Sequence, residues 1–228
     1  MEEAVAAVAV TKEGLKHRSA RRRKVQLALW PLVVLTIGLG WKYPLIGFIV
    51  PVVMLAGIVG SFVNGRYVCG HLCPRGGFFD RIVKPISPAR PIPAWLRSAW
   101  FRWPVLVVLM GFMAYQVSRN PGDTNHWGIV FWRICVGTTA VGVLLALVLH
   151  QRTWCAFCPM GTMQEAIGGR RSALQLDPGC RGCRTCERAC PMNLKIVSES
   201  REPGRLAVPD CLKCPECQLA CPKQVLHF

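Results

Sequence analysis

Near its carboxy terminus the chain reads Cys180-Arg-Gly-Cys183-Arg-Thr-Cys186-Glu-Arg-Ala-Cys190-Pro191, and the same pattern returns as Cys211-Leu-Lys-Cys214-Pro-Glu-Cys217-Gln-Leu-Ala-Cys221-Pro222. Both runs have the spacing C-x2-C-x2-C-x3-C-P. Cysteine thiolates at this spacing hold two [4Fe-4S] clusters, with three thiolates of each run on one cluster and the fourth on the other. The sequence therefore predicts two [4Fe-4S] clusters within residues 173–228.

The crossing of the fourth cysteine, as in bacterial-type ferredoxins, sets the predicted ligands. The first cluster takes Cys180, Cys183, Cys186 and Cys221, and the second takes Cys211, Cys214, Cys217 and Cys190. Zinc also accepts four thiolates, usually from two separated pairs. Disulfide frameworks occur mainly in small secreted domains. Both are alternatives to a small α+β ferredoxin domain, which is the prediction we prefer.

The rest of the chain is predicted to be a membrane domain. Hydrophobic residues make up 52% of the chain and concentrate before residue 150, in four blocks at about 25–41, 43–65, 98–118 and 128–150. A bilayer requires roughly 20 apolar residues per helix, so Arg102 in the third block is expected to snorkel to the headgroups. We predict a membrane α-helical fold: a basic segment at 1–24, a four-span domain at 25–172, and the tail at 173–228.

The charge distribution predicts the orientation. The chain has 28 Lys and Arg against 12 Asp and Glu, a net charge of +16. Most basic residues lie before the first block or between the second and third blocks. The positive-inside rule then makes both termini, the central loop and the ferredoxin tail cytoplasmic. An uncleaved first helix is preferred to a twin-arginine signal at Arg21-Arg22-Arg23. Because the charge lies at span ends, we expect no nucleic-acid partner.

An internal repeat follows the second and fourth apolar blocks. Arg66-Tyr-Val-Cys69-Gly-His-Leu-Cys73-Pro74-Arg-Gly76 corresponds to Arg152-Thr-Trp-Cys155-Ala-Phe-Cys158-Pro159-Met-Gly161, with one residue fewer between the cysteines. Proline after the second cysteine suits the first position of a helix. Each half therefore contains two spans and a dicysteine turn, and the halves are parallel repeats about an axis along the membrane normal.

Such an axis would bring the two turns together. Cys69, Cys73, Cys155 and Cys158 would then supply four thiolates, the number that a third iron-sulfur cluster or another metal requires. One shared metal site is our hypothesis. Dithiol-disulfide chemistry and purely structural turns are the alternatives. Cys135, within the fourth block, is interpreted as a small buried apolar residue.

The two cysteine systems together resemble the NapH/MauN-type membrane ferredoxins, which share their core with the nitrous oxide reductase maturation protein NosR. The resemblance covers about residues 25–225 and depends on the C-x3-C-P turn at Cys69–Cys73, the second C-P-x-G turn at Cys155–Cys158, and the two tail runs. The second turn is one residue shorter than the family pattern. The periplasmic flavin-bearing region of the nitrous oxide system has no counterpart here.

The resemblance implies a quinol dehydrogenase-type ferredoxin subunit in the bacterial inner membrane. Such a subunit would pass electrons between the quinone pool and a partner redox protein, with a bound quinone as a further cofactor. No catalytic residue is predicted. A second hypothesis is reduction or delivery of copper or iron for assembly of another metalloenzyme. A third is a structural anchor for a partner.

Overall fold

The computed structural model describes residues 12–169, 173–198, 204–206 and 208–228. The predicted domain boundary at residue 172 and the first part of the basic segment lie outside these residues. The helices are α1 Lys12–Leu39, α2 Ile49–Asn64, α3 Tyr67–His71, α4 Pro74–Phe78, α5 Ala99–Ser118, α6 Thr124–Val148, α7 Thr153–Phe157, α8 Pro159–Gly168, α9 Thr185–Ala189 and α10 Glu216–Ala220, and the strands are β1 Leu174–Leu176, β2 Gly204–Leu206 and β3 Leu226–His227.

Among the described residues, three segments are long and apolar enough to cross a membrane: Pro44–Asn64, Ala99–Ser118 and Thr124–Val148, with mean hydropathies of 2.4, 1.3 and 1.9. They correspond to the second, third and fourth predicted spans. Large apolar side chains on their surfaces are exposed, among them Val59, Val108 and Leu144. Contiguous apolar surface of this kind indicates apolar surroundings, and helices are the elements that satisfy backbone hydrogen bonds there.

The first predicted span is not confirmed. Helix α1 begins with a strongly basic segment, and its uncharged part covers only residues 25–39. This is shorter than the roughly 20 residues that a span requires. A fourth crossing by α1 stays a prediction.

The two repeats pack into each other. Helices α2, α3 and α4 form the first repeat unit, and α6, α7 and α8 form the second. Gly57 of α2 lies against Gln164 of α8, and Gly142 of α6 lies against Phe79, which directly follows α4. The short helix of each repeat therefore packs on the long helix of the other, at a position where glycine provides the space.

The tail has its own internal symmetry. Helices α9 and α10 pack together, and β1 pairs antiparallel with both β2 and β3. Positive φ angles occur at Gly182 (69°) and Lys213 (54°), and again at Asn193 (53°) and Gln224 (55°). The members of each pair occupy equivalent positions in the two cysteine runs. The two runs therefore share these two turns, and they differ at Arg184, where φ is 55°, and its equivalent Pro215, where φ is −79°.

Buried ion pairs hold the tail against the membrane half. Asp210 accepts from Arg66 and from Arg102, the latter at 2.9 Å, and Arg22 of α1 pairs with Glu216 of α10 at 3.0 Å. Arg102 also pairs with Glu165 of α8 at 2.7 Å and is only 3% exposed. The expectation that Arg102 reaches lipid headgroups is therefore wrong. Some of the basic residues that predict the membrane orientation, such as Arg22 and Arg102, therefore form ion pairs with the tail.

Candidate metal centres

Each dicysteine turn is built from two short helices with a cysteine at the junction. Cys73 caps α4 and Cys158 caps α8, and Pro74 and Pro159 occupy the first helical turn. Proline is preorganised for that position and needs no hydrogen-bond acceptor there. The Cys73 sulfur accepts from the Gly76 amide at 3.5 Å. The turns therefore hold their second cysteines at the starts of α4 and α8.

The arginine of each repeat contacts the cysteine turn of the other. The Arg66 Nη2 donates to the carbonyl oxygen of Cys155 at 2.7 Å, and the Arg152 Nη1 donates to the carbonyl oxygen of Cys69 at 3.4 Å. Arg152 also approaches the Cys155 sulfur at 3.5 Å. These reciprocal contacts bring the two turns together.

Glycine at the C-P-x-G positions makes room for these arginines. A Cβ on Gly76 would lie 2.9 Å from both the Arg152 Nη1 and the Cys69 carbonyl oxygen. A Cβ on Gly161 would contact the Arg66 guanidinium in the same way. The repeated motif residues thus form one structural unit across the two repeats.

The four membrane-proximal cysteines line one cavity of about 170 Å³. Its walls are apolar side chains from α1, α2, α5 and α6, and its polar floor consists of the two turns and three arginines. The cysteines are Cys69, Cys73, Cys155 and Cys158, and the arginines are Arg66, Arg75 and Arg152. Four soft cysteine donors lining one cavity fit an iron-sulfur cluster or a thiophilic metal.

Burial affects the protonation of two of these thiols, those of Cys69 and Cys73. It raises the pKa of the Cys69 thiol to about 12, with Arg66 opposing the rise and the three other turn cysteines adding to it. Burial likewise raises the pKa of the Cys73 thiol, and the Gly76 amide opposes it. The free thiols of Cys69 and Cys73 are therefore protonated at neutral pH, and binding of a cationic centre would release their protons.

Asp80 balances the buried arginines beneath the cavity. Its two oxygens accept from the Nε and Nη2 of Arg152 at 2.8 and 2.7 Å, and one of them also accepts from Arg22 at 2.7 Å. Burial alone would raise the pKa of the Asp80 carboxyl, but Arg152 and Arg22 hold it at about 2. Asp80 is therefore ionised and fixes Arg152 in the orientation that contacts both cysteine turns.

In the tail, a second, smaller cavity is lined by the four side chains predicted for the second cluster. These are Cys190 from the first run and Cys211, Cys214 and Cys217 from the second, surrounded by apolar residues such as Leu174 and Met192. Burial raises the pKa of the Cys214 thiol to about 12. An apolar cavity lined by these four cysteines fits a cluster bound as the spacing predicts.

The other four tail cysteines surround α9 and the end of α10. Cys186 and Cys221 are buried in the tail core, and Cys180 packs against that core. Burial raises the pKa of the Cys186 thiol to about 11, and Cys221 is among the neighbours that add to it. Cys183 is exposed, unlike the other seven tail cysteines. The first predicted ligand set therefore has one corner open to solvent.

The second ligand set lies directly against the first dicysteine turn. A Cβ on Gly70 would lie 2.6 Å from the carbonyl oxygen of Leu212 and 2.9 Å from its Cβ. Gly70 follows Cys69, and Leu212 follows Cys211. One van der Waals contact thus joins the residues next to a cavity cysteine and a tail-cluster cysteine.

Within the described part of the chain, no group of three or more His, Cys, Asp or Glu residues is arranged to hold one metal ion. The ligands of an iron-sulfur cluster surround a larger body than a single ion, so this finding leaves the predicted tail clusters open.

Comparison with known proteins also indicates iron-sulfur binding. A family described as a 4Fe-4S binding domain matches residues 46–93 and again 129–176, and a 4Fe-4S dicluster domain matches residues 179–226. The first family thus matches once over each dicysteine turn. The chain contains ferredoxin-type 4Fe-4S binding domains, and these give it an iron-sulfur electron-transfer role.

Among curated proteins, an uncharacterized protein of Methanocaldococcus jannaschii is 29% identical over 159 residues, which cover 62% of this chain and 58% of that protein. The chain therefore spans little more than half the length of this relative. No solved structure matches the chain.

Some residues of the centre escaped the sequence analysis. Cys135 is buried as expected, but it also lines the large cavity and receives a contact from Arg75 at 3.5 Å. Arg66 and Arg152 were noted only as repeat positions. The signal that could have identified them is the invariant order of arginine, cysteine and glycine in both repeats, which couples a cation to a small residue that accommodates it.

Proposed function

We propose that the protein is a membrane-anchored electron-transfer subunit that exchanges electrons between the quinone pool and a partner redox protein. In this proposal α1 is the fourth span, and the tail lies on the cytoplasmic side of a bacterial inner membrane. The four turn cysteines hold a third cluster between the membrane interior and the two tail clusters. This arrangement agrees with the resemblance to the NapH/MauN-type ferredoxins.

One observation carries the proposal: the cavity of the four turn cysteines opens among apolar helices and abuts the second tail ligand set. Residues from α1, α2, α5 and α6 form its walls, including Leu32, Val53 and Leu109. Its polar floor lies at the end where Leu212 contacts Gly70. A quinol arriving through lipid would therefore meet the cavity before it could meet the tail.

The chain's own residues explain how such a relay is stabilised. Arg66, Arg75 and Arg152 place positive charge around the thiolates, and only Arg66 and Arg152 have carboxylate partners among the described residues. Electrostatic attraction in this poorly hydrated region is strong. The unbalanced charge of Arg75 favours an anionic occupant of the cavity, as a thiolate-bound cluster is.

The test is anaerobic titration of the full chain in lipid nanodiscs with a short-chain quinol, followed by EPR, together with iron and acid-labile sulfide analysis. We expect the quinol to reduce the clusters. Cys69→Ser should remove about four iron atoms per chain and slow the reduction, because it removes a ligand of the third cluster. Cys135→Ser is the matched control, since it changes a thiol in the same cavity outside the turns.

The outcomes separate the parts of the proposal. Loss of quinol reduction with all iron retained would place the quinone contact at Cys69 without a third cluster. Unchanged iron and unchanged rates in Cys69→Ser would exclude the relay. Absence of labile sulfide in the unaltered protein would exclude the iron-sulfur role altogether.

Metal handling is the second candidate, favoured by the methionines of the cavity. Met54, Met110 and Met160 line it together with the cysteines. Thioethers with thiolates are the soft ligand set that selects Cu(I). Stoichiometric Cu(I) binding, lost in Cys69→Ser and weakened in Met160→Leu, would support this function over quinol oxidation.

A further inference from the structure

The two cysteine runs of the tail share the positive-φ turns at Gly182 and Lys213 and at Asn193 and Gln224, but their surroundings are opposite. The segment from Cys211 to Pro215 in the second run is buried throughout, and its Leu212 packs on Gly70 of the membrane half. The equivalent segment of the first run, from Arg181 to Arg184, is exposed throughout. The internal symmetry of the tail thus points one cluster loop toward the membrane half and the other toward solvent.

The exposed loop differs in charge as well as in position. Arg181 takes the place of Leu212, and Arg184 takes the place of Pro215. Arg188, on α9, is also exposed. Three arginines therefore surround Cys183, the exposed ligand of the first predicted cluster.

The two described carboxylates closest in sequence to this loop, those of Glu187 and Asp177, contact other groups. Glu187 accepts from the amides of Val197 and Ser198 at 2.7 and 2.9 Å, and Asp177 lies 3.6 Å from His227. Among the residues that the structure describes, none of Arg181, Arg184 and Arg188 forms an ion pair. The positive charge around Cys183 is therefore uncompensated within this part of the chain.

We propose that the loop Arg181–Arg184, with Arg188, is the docking surface for a soluble electron-carrier protein with an acidic face. Oppositely charged faces steer two electron carriers into contact and accelerate their association. This inference rests on the proposed function, because it assigns the solvent end of the same electron path. In the transfer itself the reduced cluster loses one electron and the partner's one-electron acceptor gains it, with no bond or proton exchanged.

The surface fits a carrier protein better than the equivalent buried loop does. Cys183 is exposed, although the Thr185 hydroxyl donates to its sulfur at 3.5 Å, so a partner's redox group could approach the cluster corner closely. The exposed loop also differs from the buried one in its backbone: Arg184 has φ 55°, whereas Pro215, its equivalent, has φ −79°. An approach from the Cys214 side would first require the ion pairs of Asp210 to break.

The experiment uses the full chain, reduced with dithionite, in neutral phosphatidylcholine nanodiscs. Stopped-flow oxidation is measured with three probes: the anion ferricyanide, the cation hexaamminecobalt(III), and an acidic flavodoxin. Each probe is tested at low and high salt, because the Debye screening length falls to about 3 Å at molar ionic strength. The variants are Arg181→Glu and Arg184→Glu, and the matched control is Lys195→Glu, an exposed charge after Cys190.

At low salt, we expect each arginine variant to be oxidised roughly tenfold more slowly by ferricyanide and by flavodoxin, and faster by hexaamminecobalt(III). These differences should vanish at high salt. Lys195→Glu should change all rates by less than about twofold. The docking proposal would be wrong if Lys195→Glu and Arg184→Glu changed the rates equally. It would also be wrong if the oxidation rates of the unaltered protein depended neither on salt nor on the charge of the probe.

Two further readouts keep the result decisive. If a Glu variant loses iron, Arg181→Gln and Arg184→Gln and the salt dependence of the unaltered protein decide the question. If the variants act only in nanodiscs that contain anionic phosphatidylglycerol, the arginines bind lipid headgroups and the proposal is wrong. Quinol reduction is recorded on the same samples, so failure of the quinol step is seen separately from failure of the docking surface.

Discussion

Arg66 and Cys155 lie 89 residues apart in different repeats, yet the Arg66 guanidinium donates to the Cys155 carbonyl oxygen at 2.7 Å. The reciprocal contact runs from Arg152 to Cys69. Each dicysteine turn is therefore positioned by the opposite repeat. A centre built this way forms only when both halves of the membrane domain have assembled.

Gly161→Ala should disrupt this centre. The added Cβ would overlap the Arg66 guanidinium, and because that side chain is fully buried and paired with Asp210, it has little room to move. Overpacking of this kind costs about 1–3 kcal/mol. We expect a lower thermal midpoint and less iron per chain. Gly137→Ala is the control, because nothing lies within 4 Å of its added Cβ; equal behaviour of the two variants would contradict the reciprocal arrangement.

Asp80→Asn should destabilise the protein strongly. Its side chain is 7% exposed and compensates both Arg152 and Arg22, so the substitution leaves two buried cations without their shared anion. Breaking a buried pair in this way costs about 3–5 kcal/mol. Thermal unfolding in detergent measures the effect. The exposed Asp177→Asn variant should stay within about 0.5 kcal/mol of the unaltered protein, and a similarly small effect of Asp80→Asn would show that the network is not compensating.

Gly70→Ala should separate the tail from the cavity. The new methyl group would press on the Leu212 backbone, next to Cys211. We expect all tail clusters to be retained by EPR while their reduction by quinol slows, because the two centres lie farther apart. Gly38→Ala has nothing within 4 Å of its added Cβ and serves as control. Unchanged reduction in Gly70→Ala would mean that electrons do not pass this contact.

His150 should make stability depend on pH between about 6.5 and 4. Burial lowers the pKa of His150 to about 4, with Arg97 and Arg152 adding to the fall, and its Nδ1 accepts from the Arg152 amide at 3.2 Å. The unfolded chain binds a proton in this window while the folded chain does not, so stability falls as the pH drops below 6.5. In thermal melts between pH 7.5 and 5, His150→Gln should flatten this slope. Burial lowers the pKa of His71 to about 4 as well, so that residue contributes to the same window. A slope that His150→Gln leaves unchanged would assign the dependence to His71 or to another group.

The elements that sequence predicted best are those encoded over short distances. The spacing of eight tail cysteines indicated the ferredoxin domain that the family comparison also finds, and three of four apolar blocks became helices long enough to span a membrane. The first block did not reach that length, because the uncharged part of α1 stops at Leu39. The repeat placed both dicysteine turns, and its symmetry gave a reason for their meeting.

The partners of the charged residues could not be predicted in the same way. Arg102 was expected among lipid headgroups, and it pairs with Asp210, 108 residues later. Cys135 had no partner at ligand spacing, and the fold carries it to the wall of the cysteine cavity. Local sequence patterns, such as cysteine spacing and hydropathy, indicate which side chains can bind a cluster or enter a membrane. Which cation meets which carboxylate depends on the path of the whole chain, and burial makes those pairings obligatory once the path is set.

The sequence by itself determined the chemistry of this protein: thiolates at ferredoxin spacing, apolar helices, and two copies of an arginine–dicysteine–glycine turn. The tertiary structure alone decided that the arginines cross between repeats, that Asp80 and Asp210 hold them, and that one tail loop is buried while its twin is exposed. The physical reason is that ligand spacing and hydropathy act within a few turns of backbone, whereas charge compensation and close packing act across space between residues that the sequence separates widely.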